Sequence, residues 1–119
     1  IGTHYVPDEG TYVILEGPRL ATMGFSKIQK GWEDFCASGL SLAAIDWLEG
    51  PLVEAGGEMA WVAGIVRLKV VLHGKAFEQT FRATFVLRRH EGAWKIRHEH
   101  VSGALADPYG MGDWLKPTL

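Results

Sequence analysis

FRATFVLRRHEGAWKIRHEHVS, residues 81–102, is the stretch whose reading decides the fold of this chain. Apolar and polar side chains alternate through both halves, and Glu91-Gly92 between them is a tight-turn signal, so the stretch is expected to form an antiparallel hairpin. Side chains alternate across a strand, which splits the second half into two rows. Trp94, Ile96, His98, His100 and Ser102 form one; Lys95, Arg97, Glu99 and Val101 form the other. Amphipathicity alone would bury the first row. Which row faces the interior decides the chemistry.

Working outward, residues 58–72 and 76–89 read as two long strands joined at His73-Gly74-Lys75, and Gly56-Gly57 turns the chain into the first of them. Residues 40–54 read as a further strand, interrupted by Gly50-Pro51 in the manner of a bulge or an edge position. Four strands with short turns make an antiparallel meander. Before it, residues 23–38 carry Phe25, Ile28, Trp32, Phe35 and Cys36 at spacings of three and four, the pattern of an amphipathic helix. Ser26 is the expected cap, Gly39 the expected stop, and Cys36 is expected to be a small buried hydrophobe. A short strand is expected at residues 11–15. Residues 104–119, anchored by Tyr109 and Trp114, read as a tail wrapped over the surface. The whole, residues 1–119 with a core at 1–103, reads as one α+β domain with helix packed on one face of a curved sheet.

Composition closes several routes. The 119 residues carry a formal net charge of −2 with acids and bases mixed, and no basic stripe of the kind nucleic acids require. The one basic cluster, Arg88-Arg89-His90, reads as a solvated hairpin end. A single cysteine rules out an intramolecular disulfide and a thiolate metal cluster. There is no signal peptide and no apolar run of membrane-spanning length, so the expected setting is cytoplasmic. Gly-rich phosphate loops, nucleophile elbows and cofactor fingerprints are absent from the sequence, and no cofactor is expected.

The segments GFSKIQKGWEDF, MAWVAG and RATFVLRRHEGAWKIRHEHVS resemble the nuclear-transport-factor-2-like superfamily. The likeness is to its SnoaL-like and ketosteroid-isomerase-like branches and to the calcium/calmodulin-dependent kinase association domain, over residues 4–102. The resemblance implies a cystatin-like α+β cone: a strongly curved antiparallel sheet wrapped round helices, with a deep pocket inside and a homodimer through the outer sheet face. Members usually begin with a long amphipathic helix, which is apparently missing here. In SnoaL-like cyclases a catalytic acid lies on the last strand, and alignment puts it at Glu99. In the kinase association domain, pocket arginines fall where this chain has Phe85 and Val101, so that basic pocket is lacking. Both comparisons imply that the Glu99 row points into the cone.

Glu99 is then the candidate acid or base, since a carboxylate in an apolar cavity has its pKa raised by desolvation. Arg97, two residues away, is a candidate partner for that carboxylate or for an anionic ligand group. Tyr5, Tyr12 and Asp46 are possible second groups beside Glu99. Tyr12, Ile28, Trp32, Phe81, Phe85 and Val101 are expected to line the pocket, with ordinary core packing as the competing reading for each aromatic. On the polar row of the third strand, Arg82 is expected to pair with Glu78. His98 and His100, with His73 or His4, do not make a convincing metal site and read better as interface residues bonded to backbone or Ser102.

The functional expectation is a pocket protein for a small, largely apolar ligand. Beyond binding, the same pocket could serve cofactor-independent acid–base catalysis by Glu99, as an isomerase, cyclase, dehydratase or hydrolase. The alternative is a non-catalytic association or ligand-binding module whose function is dimerisation.

Overall fold

The computed structural model describes residues 4–15 and 19–104. Its elements are β1 (Tyr12–Ile14), β2 (Thr22–Met23), α1 (Phe25–Ala37), β3 (Leu40–Gly56), β4 (Met59–Leu72), β5 (Lys75–His90) and β6 (Ala93–Ser102). The strands form one sheet in the order β2-β1-β6-β5-β4-β3. The expected meander is present in β3 to β6, but the sheet is mixed, because β1 pairs with β6 in parallel. Both ends of that pairing lie far apart in the chain. The wrapping tail expected at 104–119 lies, apart from Ala104, outside the described residues.

Turn chemistry sets the hairpins. His73-Gly74 and Glu91-Gly92 each place two successive residues at positive φ, at 51° and 77° and at 51° and 81°. That is the pattern of the two-residue turns whose twist matches the flanking strands, and glycine carries its second position without steric cost. Helix α1 begins at Gly24 without a side-chain cap, contrary to the capping expectation: the Ser26 hydroxyl donates instead to the Glu9 carboxylate at 3.3 Å. At its other end the Ser38 hydroxyl donates to the Phe35 carbonyl, and Gly39 at φ 88° turns the chain away.

Only a narrow strip of α1 packs inward. Ile28 is buried against Tyr5 and Val13, with Phe25, Trp32 and Ile96 around them. Cys36 lies off that strip and is exposed, correcting its assignment to the core. A second cluster lies on the sheet: Val66, Phe81 and Ala83, with Leu68, Phe85 and Val101 packed against it. Arg82 does not pair with Glu78. It donates to the Gly103 carbonyl at 3.0 Å, while Glu78 lies 3.8 Å from Lys69.

The far edge is open. β3 slips register three times against β4, at Leu42/Ala44, Trp47/Glu49 and Glu49/Leu52, and bulges of this kind bend and twist a strand. Ile45 and Val53 on β3 are 59% and 62% exposed. The sheet is therefore packed over β1 and β6, where α1 sits, and open at its β3 end.

Candidate functional site

Glu99 sits on β6 between Val13 of β1 and Phe85 of β5, its Cα partners on either side. It joins the two apolar clusters and is 7% exposed. The Tyr5 hydroxyl donates to Glu99 Oε1 at 2.7 Å, and the Trp32 indole N–H donates to the Tyr5 oxygen at 3.0 Å. Among the described residues, Arg67 Nε is the one enclosed side-chain polar atom without a partner. No described residue donates to Glu99 Oε2. Among the described residues, one oxygen is held and the other has no donor.

Burial raises the Glu99 carboxyl above its ordinary value of 4.5; the Tyr5 hydrogen bond and the charge of His98 pull weakly the other way. Tyr5 moves upward as well, first through burial, then through the charge and hydrogen bond of Glu99, while the Trp32 hydrogen bond opposes the rise. The phenol thus stays protonated and a donor throughout the neutral range.

Strict alternation would set Arg97 beside Glu99, and a bulge breaks that alternation. His98 pairs with Val86 and Ile96 with Leu87, which leaves Arg97 as an extra residue on β6. Ile96 and Glu99, three apart, both face the cluster around Tyr5. Arg97 reaches instead to loop 7–11, lying 3.2 Å from Asp8 Oδ1 and 3.5 Å from Thr11 Oγ1. The Gly10 N–H and the Arg97 guanidinium both hold the Asp8 carboxyl below its usual range. Among the described residues Arg97 is thus partnered with Asp8 rather than with Glu99. We expect Arg97→Ala to leave the Glu99 titration midpoint, followed by carboxyl ¹³C NMR, where it is in the wild type. A midpoint moved upward would show that the guanidinium acts on Glu99 after all.

The other expected site residues do not all come together. Ile28 and Trp32 pack beside Tyr5, and Phe81, Phe85 and Val101 form the neighbouring cluster. Tyr12 is not with them. It stacks on His98 with ring centroids 5.6 Å apart, and His98 Nδ1 donates to the Tyr12 carbonyl at 2.8 Å. Asp46 pairs with Arg67 across the β3–β4 ladder at 3.4 Å. His100 is exposed, and among the described residues no three His, Cys, Asp or Glu side chains come together as metal ligands. Sequence reasoning named Tyr5 as one of three possible partners for Glu99 and did not foresee the Trp32 N–H behind it. The available signal was chemical: buried tyrosine and tryptophan need a partner for their polar tips.

A family model for the SnoaL-like domain matches residues 45–107. This chain belongs to the SnoaL-like family. No curated protein matches it. Solved structures share the fold of this SnoaL-like domain at low sequence identity. A nuclear transport factor 2-like superfamily protein from Salmonella enterica is 21% identical over 94% of this chain and 81% of its own, with a TM-score of 0.77. A candidate calcium/calmodulin-dependent protein kinase II association domain from Xanthomonas campestris is 20% identical, covering 87% and 71%, with a TM-score of 0.68. A ketosteroid isomerase-like protein from Erwinia carotovora is 13% identical, covering 85% and 76%, with a TM-score of 0.67. At these identities the likeness carries the fold, and the site must be argued from its own residues. Among the described residues of the SnoaL-like domain, no helix is long and apolar enough to cross a membrane.

Proposed function

We propose that this SnoaL-like domain binds a small, largely apolar molecule on the helix-bearing face of its sheet and exchanges a proton with it through Glu99. The reaction class is an isomerisation, cyclisation, dehydration or hydrolysis that needs no cofactor. One observation carries the reading: a buried carboxylate with one oxygen held by Tyr5 and the other without a donor among the described residues. Desolvation brings such a group toward the pH at which it works, where a proton acceptor is most effective. Phe85 lies directly alongside, and Val101 and Phe81 extend the apolar surface from it. Arg97, two residues from Glu99 on β6, is paired with Asp8, which favours an uncharged ligand over a carboxylate.

The test is a thermal-shift panel of hydrophobic carbonyl compounds on the wild type and on Phe85→Trp. Saturable stabilisation is expected, reaching about 2.7 kcal/mol at a hundredfold excess over Kd. It should vanish in the variant, whose indole fills the space beside Glu99. No shift with any compound, or an equal shift in Phe85→Trp, would overturn the binding site.

A second reading has its own support. Apolar residues stay exposed on β3 and β4, among them Ile45, Leu52, Val53 and Trp61, and one of the fold's neighbours is described as an association domain. On that reading the chain is an assembly module and forms a homodimer through the outer face of the sheet. Light scattering decides it: a dimer mass together with a ligand panel that fails would favour assembly as the function.

A further inference from the structure

The donor chain ending at Glu99 has a fixed direction. An indole nitrogen has a hydrogen to give and no lone pair to accept with, so in the 3.0 Å contact Tyr5 must be the acceptor. A phenol has a single proton. With Trp32 on its oxygen and a carboxylate 2.7 Å away, that proton can serve only Glu99 Oε1. Both donors come from elements packed against β6: Trp32 from the inward strip of α1, and Tyr5 from the segment that bridges to Ile96.

We propose that Trp32 is a positioning residue: by donating to Tyr5 it pins the phenolic proton on Glu99 Oε1, so that Oε2 is the one atom through which Glu99 exchanges a proton with a ligand. This rests on Glu99 being the proton-transfer group and adds how it is aimed. Linked hydrogen bonds polarise one another, so a tyrosine that accepts from Trp32 is a stronger donor to the carboxylate. Without the indole N–H the hydroxyl is free to turn, and both oxygens of Glu99 compete for the proton.

Few other groups disturb the chain. Val13 faces Glu99 from β1, Phe85 from β5, and Ile28 packs beside Tyr5 from α1; none of them titrates. The titratable groups are Tyr5 and, on β6 itself, His98, whose charge lowers the Glu99 midpoint weakly. On α1, Lys30 and Asp34 pair with each other on its exposed side, and Lys27 and Glu33 are exposed.

The experiment uses the full chain labelled for NMR and follows two signals through a pH titration: the Glu99 carboxyl carbon and the Trp32 indole N–H. In the wild type the two are expected to titrate with one midpoint. Trp32→Phe should raise the Glu99 midpoint, and Tyr5→Phe should raise it further. In Tyr5→Phe the Trp32 N–H should stop responding to pH, with amide signals elsewhere unchanged. An indole signal that ignores the Glu99 titration in the wild type would overturn the proposal, as would an unmoved midpoint in Trp32→Phe. Should Trp32→Phe not fold, the wild type and Tyr5→Phe titrations still decide it. Failure of the underlying functional reading looks different: the two signals would titrate together while the ligand panel stays silent.

Discussion

Glu99→Gln will stabilise the protein in mildly alkaline solution, and the stabilisation will disappear in acid. The sign follows from where the carboxyl titrates. Burial raises the folded-state pKa above the ordinary 4.5 that applies when the chain is unfolded. Below 4.5 the group is protonated in both states and its burial costs nothing of an ionic kind. As pH climbs through the raised folded value, the native state must hold a desolvated charge, and stability falls because the unfolded state releases the proton more readily. Glutamine is nearly the same shape, still accepts from Tyr5 and never ionises. The expected gain at pH 8 is about 0.5–2 kcal/mol, the range typical of relieving strain built into a site. At pH 4 the two proteins should melt alike. Once a substrate from the carbonyl panel is in hand, turnover by Glu99→Gln should drop about 10²- to 10⁴-fold. Parallel stability curves for the two proteins across that range would show that Glu99 pays no penalty in its site and would remove the physical basis for its role.

The same residue shows how far the sequence can be read. Period-two alternation, the turn at Glu91-Gly92 and the apolar strip of α1 are local signals, and each yielded its element within a residue or two. That Glu99 rather than His98 joins the buried cluster came from family resemblance, since amphipathicity alone favours the opposite row. What stayed hidden was non-local. A bulge at Arg97 is a single extra residue with no compositional mark, yet it sends the guanidinium to Asp8 and leaves Glu99 without it. The parallel β1–β6 ladder joins segments some eighty-five residues apart, as the pairing of Tyr12 with His98 shows, and no spacing rule announces it. Tyr12 illustrates the consequence: placed on β1 opposite His98, it faces away from the residue it was expected to accompany. Cys36 went astray for a related reason. A helix that meets its sheet along a narrow line buries fewer positions than its apolar pattern offers.

Gly64→Ala is expected to destabilise the fold by about 1–3 kcal/mol, through overpacking at a point where little can yield. Gly64 lies in β4 beside Ala83 of β5, and opposite it β3 slips register between Glu49 and Leu52. Because of that slip the β3 backbone crosses close over Gly64. An added Cβ would fall on the Glu49 carbonyl oxygen, and 2.8 Å from Cζ3 of the Trp47 ring. A flexible side chain could swing aside from such a contact. A carbonyl within a strand can move only if β3 shifts with it, and β3 is an edge strand with Ile45 and Val53 exposed. Trp47 is in register with Val66, which packs on Phe81, so displacing the indole disturbs the apolar surface that runs on to Phe85 and Glu99. Urea denaturation should therefore show a lower midpoint for Gly64→Ala at an unchanged slope, because the loss lies in the native state. Ligand-induced stabilisation should shrink alongside it. A midpoint equal to the wild type would mean that β3 adjusts freely over Gly64, and that the open edge of the sheet, rather than its packed end, sets how closely Trp47 lies against β4.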